Sequence, residues 1–150
     1  MLVVVQRVSH ATLHIADELR AQIACGLVVL IGIAPEDTQE DIDWLVPKIV
    51  QLRIFADEAG KMNQAVQEVG GDILLVSQFT LYASTKKGNR PSFLGAAKPD
   101  IAVPLYEIVV QAFEEAMGKP IQTGEFGADM QINLTNDGPV TLIIDSKNRV

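Results

Sequence analysis

The spacing of apolar positions changes several times along the chain. Leu2 to Val8 is rich in β-branched residues, and from Ala11 to Ile15 apolar and polar residues alternate. A period of two is typical of a strand with one buried face, so both segments predict strands. A turn at 16–18 and a short strand near 21–25 follow. The wholly apolar run from Gly26 to Ile33 then predicts a strand that is covered on both faces.

Two later segments carry their apolar residues at helical spacing. The first runs from Ile42 to Val50, after Asp37 and Thr38, either of which can cap a helix. Pro47 lies inside this segment, where it removes one backbone hydrogen bond and predicts a kink. The second segment runs from Pro99 to Gly118, with proline at its start and glycine at its end, as helices favour. Two helices are therefore expected.

The remaining apolar segments predict further strands. Ile73 to Gln78 predicts a buried strand, and the alternating segments 130–134 and 140–144 predict two more. Asn136-Asp137-Gly138-Pro139 separates these two with a composition that favours a turn, and general frequencies favour a trans bond before its proline. This order of elements departs from the alternation of a doubly wound sheet. We expect one α/β domain over residues 1–150, with a curled, barrel-like, mostly antiparallel mixed sheet flanked by two helices.

Charge and cysteine content exclude several classes of protein. The 150 residues include 12 Lys and Arg against 19 Asp and Glu, a net charge of −7 that excludes a generally basic nucleic-acid coat protein. The single cysteine excludes an internal disulfide and fits a reducing compartment. No apolar run is long enough to span a membrane, and the first residues lack the basic region of a signal peptide. A cytoplasmic location without membrane contact is expected.

Histidine and cysteine do not predict a catalytic or metal centre. His10 and His14 are four residues apart on a predicted strand, roughly 13 Å, which is too far for both to bind one ion. Cys25 lies between apolar strands, so we expect a buried, unreactive thiol. The motifs of serine hydrolases, P-loop proteins and dinucleotide-binding proteins do not occur in the sequence. We therefore expect no metal and no cofactor.

One segment does combine features of a reactive pocket. The buried strand at 73–78 leads directly into Ser77, Gln78 and Thr80, whose hydroxyl and amide groups can line a cavity. Backbone N–H groups that leave the strand ladder, such as that of Phe79, can bind a developing oxyanion. A strand end with satisfied polar groups is the simpler interpretation, and the residue pattern alone favours it.

A basic segment follows at once. Residues 84–98 hold Lys86, Lys87, Arg90 and Lys98 and no acidic residue, so this loop carries a charge of +4 inside an acidic protein. Such a cluster beside a pocket suits a substrate that bears phosphate groups. A solvated loop without a ligand explains the composition equally well.

Taken together, these segments resemble the D-aminoacyl-tRNA deacylases, once called D-tyrosyl-tRNA deacylases. The similarity extends over nearly the whole chain. Two signatures carry most of it, SQFTLYA (77–83) and NDGPVT (136–141), which stand in order about 60 residues apart. The other similar segments are QRVSHA (6–11), GKMN (60–63), VGGDILLV (69–76), KKGNRPSF (86–93) and TGEFGADM (123–130).

The resemblance implies an activity and an assembly. It implies hydrolysis of the ester between a D-amino acid and the 3′ end of tRNA, by a homodimer that binds no DNA. Ser77, Gln78, Phe79 and Thr80 are implied as the catalytic segment. Gly138 and Pro139 are implied to form a cis peptide that enters the partner's pocket and selects chirality by excluding L-aminoacyl groups. Glycyl-tRNA is then expected to be cleaved as well.

The remaining assignments follow from that substrate. Lys86, Lys87 and Arg90 are expected to bind phosphates of the tRNA acceptor end. Two alternatives stay open: a dimer that binds tRNA ends without catalysis, and a small-ester hydrolase with Thr80 as a covalent nucleophile. No base in the sequence is placed to activate Thr80, which favours attack by water.

Overall fold

One long strand organises the sheet. In the computed structural model, which describes residues 1–150, this strand is paired along both of its edges. The elements, in chain order, are the strands and helices β1 (Leu2–Ile15), β2 (Glu18–Ile23), β3 (Gly26–Gly32), α1 (Gln39–Val50), β4 (Phe55–Ala56), β5 (Met62–Gln64), β6 (Asp72–Ser77), a 3₁₀ turn (Phe79–Tyr82), α2 (Pro99–Met117), β7 (Gln122–Thr123) and β8 (Met130–Asp145).

The main sheet has six strands and mixes two directions of pairing. Its order is β2-β1-β3-β6-β7, and β8 pairs with the other edge of β1. β1 is antiparallel to β2, β3 and β8, whereas β3, β6 and β7 are mutually parallel where they pair. The sheet is nearly closed and barrel-like, and two helices accompany it. This confirms the fold class that the sequence predicts.

Two predicted boundaries are wrong for related reasons. The segments 2–8 and 11–15 form one continuous strand, and so do 130–134 and 140–144. The turn predicted at Asn136–Pro139 does not reverse the chain, because these residues lie inside β8. Asn, Asp, Gly and Pro indicate a break in regular strand pairing. These residues occur in β-bulges as well as in hairpin turns, so the composition does not distinguish the two.

The helices cover a large apolar core. A cluster of 23 buried residues joins β1, β3 and β6 to both helices, and α1 packs against α2. Phe113 and Leu75 are among its fully buried side chains, each of which contributes roughly 1.5–3 kcal/mol by burial. Thr38 is the N-cap of α1, as predicted, and Pro47 lies inside a helix that continues three residues further. Neither helix is long and apolar enough to cross a membrane.

The prediction of a buried Cys25 is wrong. This residue lies in the tight connection between β2 and β3, and it is exposed. The neighbouring strands are apolar because their own faces are buried, whereas the connection itself lies at the surface.

Candidate active site

A cavity opens at the carboxyl end of β6. It has a volume of about 290 Å³ and a largely apolar wall. Ser77, Gln78 and Phe79 line it, so three of the four residues predicted for catalysis border one space. The remaining lining residues are Ile31, Ile33, Val76, Ala97, Ala102, Phe126, Gly127, Ala128, Asp129, Met130 and Ile132.

The 3₁₀ turn Phe79–Tyr82, which is named the reacting turn below for the role that the sequence predicts, begins where β6 ends. The Gln78 N–H donates to the Ile31 carbonyl at 2.7 Å, and the Leu81 N–H donates to the Gln78 carbonyl at 3.2 Å. The N–H groups of Phe79 and Thr80 are the first two of the turn, so they have no acceptor within it. The turn therefore presents two backbone donors next to the cavity.

Thr80 does not line the cavity but is tied to a residue that does. The Gln78 side-chain amide donates to the Thr80 hydroxyl at 2.5 Å. An amide is not a base, so this contact orients the hydroxyl without activating it for nucleophilic attack. Thr80 is thus placed to support Gln78.

Parallel pairing fixes the position of this turn. Ser77 of β6 lies opposite Ile31 of β3, so both strands end at the same edge of the sheet. The Tyr106 hydroxyl of α2 donates to the Leu75 carbonyl at 3.1 Å and so connects α2 to β6. Burial raises the pKa of Tyr106 to about 12, so the hydroxyl keeps its proton at neutral pH. The turn rests on rigid elements.

Sequence reasoning assigned no role to the segment 126–130, which forms one wall of the cavity. The Phe126 ring packs at 6.0 Å from that of Tyr106, and Gly127 has a φ of +79°. A Cβ on Gly124 would lie 2.4 Å from the Met130 sulfur, so a larger residue there would require the flexible Met130 side chain to move. The sequence signal for this wall was the aromatic Phe126 between the glycines Gly124 and Gly127.

A buried ionic network lies behind the cavity wall. The Met1 ammonium donates to Asp37 at 2.5 Å and to Ser146 at 2.6 Å, and Ser146 donates to Asp41 at 2.7 Å. Lys147 completes the network with a 2.7 Å contact to Asp41. Burial alone would raise the pKa of Asp41, but hydrogen bonds from Lys147 and Ser146 hold it well below its usual range.

This network reaches the cavity through the backbone. Asp37 accepts a hydrogen bond from the Ala34 N–H at 2.7 Å, and Ala34 follows Ile33, which lines the cavity. The Ile33 carbonyl in turn accepts from the N–H of Ala97, another lining residue, at 2.8 Å. The network therefore fixes the wall that faces the reacting turn.

Gly138 and Pro139 form a bulge in β8. Between the pairs Gln6–Thr141 and Val8–Asn136, β1 has one residue, Arg7, and β8 has four. The Gly138–Pro139 peptide bond is cis, as the resemblance implied and general frequencies did not. Proline lacks an N–H and suits an unpaired position on an edge strand. Asp137, Gly138 and Pro139 are exposed.

Arg7 and Asn136 hold the base of this bulge. The Arg7 Nε lies 3.1 Å from the Asp137 carboxylate and 3.2 Å from its carbonyl oxygen, and Arg7 also donates to the Ile54 carbonyl at 2.5 Å. The Asn136 amide donates to the carbonyls of Arg7 and Val140 at 3.0 and 3.1 Å. The exposed peptide is therefore fixed at both ends.

The bulge is far from the cavity. Arg7 lies opposite Leu27 on β3, four residues from Ile31, which pairs with Ser77. That separation is roughly 13 Å along the strands, and Ile132, the cavity residue of β8 nearest in sequence to the bulge, lies six positions before Gly138. Gly138 and Pro139 do not line the cavity.

The basic residues form a second, shallower concavity on the loop after the turn. Lys86, Lys87 and Arg90 line it together with Ser84 and Ser92, whose backbones pair with each other. All five side chains are exposed. The structure thus brings the three predicted phosphate-binding residues together, on a loop that begins two residues after the reacting turn.

Comparison with known proteins places the chain in a family. The family model described as D-Tyr-tRNA(Tyr) deacylase matches residues 4–145. The D-aminoacyl-tRNA deacylases of Flavobacterium johnsoniae and Bacteroides thetaiotaomicron are 60% and 58% identical over 149 residues, and each match covers 99% of both chains.

Solved structures agree in fold. A c-Myc DNA unwinding element binding protein is 39% identical with a TM-score of 0.90, and the match covers 97% of this chain and 98% of that one. A probable eukaryotic D-amino acid tRNA deacylase, 20% identical, superposes with a TM-score of 0.82 over 95% of this chain and 97% of that one. From the family match and these close relatives, the chain belongs to the D-Tyr-tRNA(Tyr) deacylase family.

Proposed function

We propose that this protein hydrolyses the ester bond between a D-amino acid, or glycine, and the 3′-terminal adenosine of tRNA. Family membership supplies the reaction class, and relatives that share 55–60% of their residues with the chain are named D-aminoacyl-tRNA deacylases. The observation that carries the proposal is the cavity at Ser77–Phe79, which offers backbone donors and neutral polar groups.

The chemistry of the substrate fits so simple a site. An aminoacyl ester is activated by its α-ammonium group and by the neighbouring ribose hydroxyl, so little acid–base assistance is needed. The site has to hold the ester, stabilise the oxyanion and place a water molecule. The N–H groups of Phe79 and Thr80 are the proposed oxyanion donors, and Ser77 and Gln78 orient the ester or the adenosine.

Chirality is selected by main chain from a second copy of the protein. Gly138 and Pro139 are exposed, fixed by Arg7 and distant from their own cavity, which supports action on another subunit. Their carbonyl groups would hold the α-ammonium, and an L side chain would then collide with a rigid peptide. A site that reads the α-carbon in this way accepts many D side chains.

The same argument predicts the fate of glycine. Glycine has no side chain to collide, so glycyl-tRNA passes the selection that excludes L-aminoacyl-tRNA. The basic loop at Lys86, Lys87 and Arg90 binds phosphates of the acceptor end, which accounts for a positive region on a protein of net charge −7.

Matched deacylation assays test the proposal. D-tyrosyl-tRNA and glycyl-tRNA should be hydrolysed rapidly, and hydrolysis of L-tyrosyl-tRNA should be negligible. Release of labelled amino acid measures each rate. Binding of tRNA without release would identify a non-catalytic tRNA-binding dimer. Equal rates on D-tyrosyl esters with and without tRNA would favour the small-ester hydrolase, and equal rates on both enantiomers would refute chiral selection.

A nucleic-acid control belongs in the same experiment. One solved relative is described as a DNA unwinding element binding protein. Single-stranded DNA of matched length should inhibit the deacylation of D-tyrosyl-tRNA far less than uncharged tRNA does. Equal inhibition by the DNA would show that the loop recognises phosphate without preference for the tRNA end.

A further inference from the structure

An exposed aromatic pair connects the reacting turn to the basic loop. The rings of Phe79 and Phe93 meet edge to face, with centroids 5.3 Å apart and an interplanar angle of 76°. Phe79 is 55% exposed and Phe93 is 36% exposed, and neither belongs to an apolar core cluster. Their contact is therefore a local link at the surface.

The basic loop is closed at its base by backbone pairing. The Ser84 N–H donates to the Ser92 carbonyl at 2.7 Å, and the Ser92 N–H donates back at 3.0 Å. Lys86, Lys87 and Arg90 all lie between these two serines. A short loop with a closed base moves largely as one unit, so a ligand on its cations also acts on its two ends.

Both ends of this loop are tied to the reacting turn. On the entering side, the Ala83 N–H donates to the Thr80 carbonyl at 3.1 Å. On the leaving side, Phe93 follows Ser92 directly and contacts Phe79. The second connection depends on a side chain, so a substitution can remove it and leave the backbone unchanged.

We propose that Phe93 is a positioning residue that couples phosphate binding on the basic loop to the placement of Phe79 in the reacting turn. The inference rests on the proposed function, because it assumes a substrate with phosphates beside the ester. Edge-to-face pairs have a preferred geometry, so the ring of Phe93 restricts the orientation of Phe79 more than an aliphatic side chain would. Bound tRNA phosphates restrict the motion of the loop. Through its contact with Phe79, Phe93 then also restricts the motion of the reacting turn.

The coupling predicts a specific kinetic pattern for Phe93→Ala. With D-tyrosyl-tRNA, kcat should fall about tenfold and KM should change less than about twofold, since the phosphate-binding residues are retained. With 3′-O-(D-tyrosyl)adenosine, which lacks phosphates, the loop is empty and kcat should change less than about twofold. The ratio of kcat on the two substrates therefore decreases in the variant.

Two control variants separate positioning from general damage. Phe93→Tyr keeps the aromatic edge and should restore the wild-type ratio. Leu94→Ala alters the next residue, which is 93% exposed, and should leave both substrates unaffected. Thermal melting should show the same transition for all three variants, because none of the substitutions removes a core side chain.

The possible outcomes distinguish the two proposals. If the wild type does not deacylate D-tyrosyl-tRNA, the proposed function fails. In two other outcomes the wild type is active, but Phe93→Ala lowers kcat equally on both substrates or lowers it on neither. Either result would contradict the coupling through Phe93 and would leave the proposed function unaffected. A rise in KM for tRNA alone would make Phe93 a binding residue and would also overturn the inference.

Discussion

In the proposed mechanism, single residues at the cavity provide orientation and little proton transfer. The Gln78 amide binds the Thr80 hydroxyl, and neither group is a base. The proposed oxyanion donors are backbone N–H groups, which no side-chain substitution removes. Loss of one side chain should therefore impair the reaction without abolishing it.

Thr80→Ala gives the most direct test of this view. If water attacks the ester, the variant should keep measurable turnover, reduced about tenfold because Gln78 loses its partner. If Thr80 is a covalent nucleophile, nearly all turnover disappears and an acyl-enzyme accumulates in the wild type. Single-turnover deacylation and mass spectrometry after an acid quench measure both quantities, and Thr80→Ser is the control that keeps the hydroxyl.

Asp41 should make stability sensitive to acid. Its folded-state pKa lies below the usual value of 3.8, so its contribution is complete at higher pH and is lost as the pH falls through the folded-state value. Asp41→Asn should lower the free energy of unfolding at pH 7 by roughly 3 kcal/mol, because Lys147 and the Met1 network lose a buried charge. The difference from wild type should shrink below pH 4.

Urea unfolding between pH 2.5 and 7 measures this effect. Asp43→Asn is a matched control on the same helix, since that carboxylate is exposed and contacts only Gln39. The control should change the free energy by less than about 0.5 kcal/mol at every pH. An acid dependence of Asp41→Asn that matches the wild type would contradict the role assigned to the network.

Candidate residues that a local sequence pattern marks were predictable. Residues that meet only through the tertiary fold were not. Ser77 and Gln78 could be found because they follow a buried strand directly. The network of Met1, Asp37 and Ser146 joins the two ends of the chain, and no local pattern shows that these groups meet. Phe93 was hidden in the same way, since its partner Phe79 lies 14 positions earlier.

Among the elements, the basic loop has the clearest quantitative consequence. Replacing Lys86, Lys87 and Arg90 by glutamine should lower the slope of log K against log salt for tRNA binding by about 2 to 3, one phosphate contact for each cation. Lys61→Gln, on the exposed connection between β4 and β5, should leave the slope unchanged. Titration of uncharged tRNA at several salt concentrations gives the slopes, and an unaltered slope in the triple variant would exclude this loop as the phosphate site.

Strand β8 shows why some elements are predicted only in part. Its alternation was visible on both sides of Asn136–Pro139, and the break between them was correctly located. Whether such a break is a hairpin or a bulge depends on the partner strand, and β1 is long enough to pair with both halves. The pairing of β8 with β1 joins residues that are far apart in sequence, and no local pattern shows it. The prediction of a turn was therefore wrong.

At the scale of the whole molecule, the separation between cavity and bulge predicts complementation between subunits. Gln78→Ala damages the cavity. Gly138→Ala damages the bulge, because a Cβ there would lie 2.5 Å from the Arg7 guanidinium and φ is +115°. Random mixing of the two variants should make half of the dimers mixed, each with one intact site, and recover about a quarter of wild-type activity.

Coexpression with two different tags isolates the mixed dimers. Attachment after Val150 leaves the buried Met1 ammonium in place, since Val150 is fully exposed. Activity no higher than the mean of the two parent variants would mean that Gly138 and Pro139 do not act across subunits. Activity above that mean supports a shared site.

The fold class was predictable because the strand-like and helix-like segments follow an order that departs from strict β-α alternation. The sheet's near closure and its central strand were less accessible, since they depend on which strands share an edge. Even so, the strand order brought together the segment that composition singled out and a cavity wall, 126–130, that it did not. Pockets of this kind arise from contacts that are distant in sequence, and so they appear only in three dimensions.

The position of Cys25 has a practical consequence. It is the only thiol in the chain, it is exposed, and its pKa is raised first by partial burial and then by the nearby Asp137 carboxylate of the bulge. A nitroxide can be attached there under mildly alkaline conditions without any engineered cysteine. Pulsed electron spin measurements would then show whether two copies of the chain associate in solution, and at what distance their labels lie.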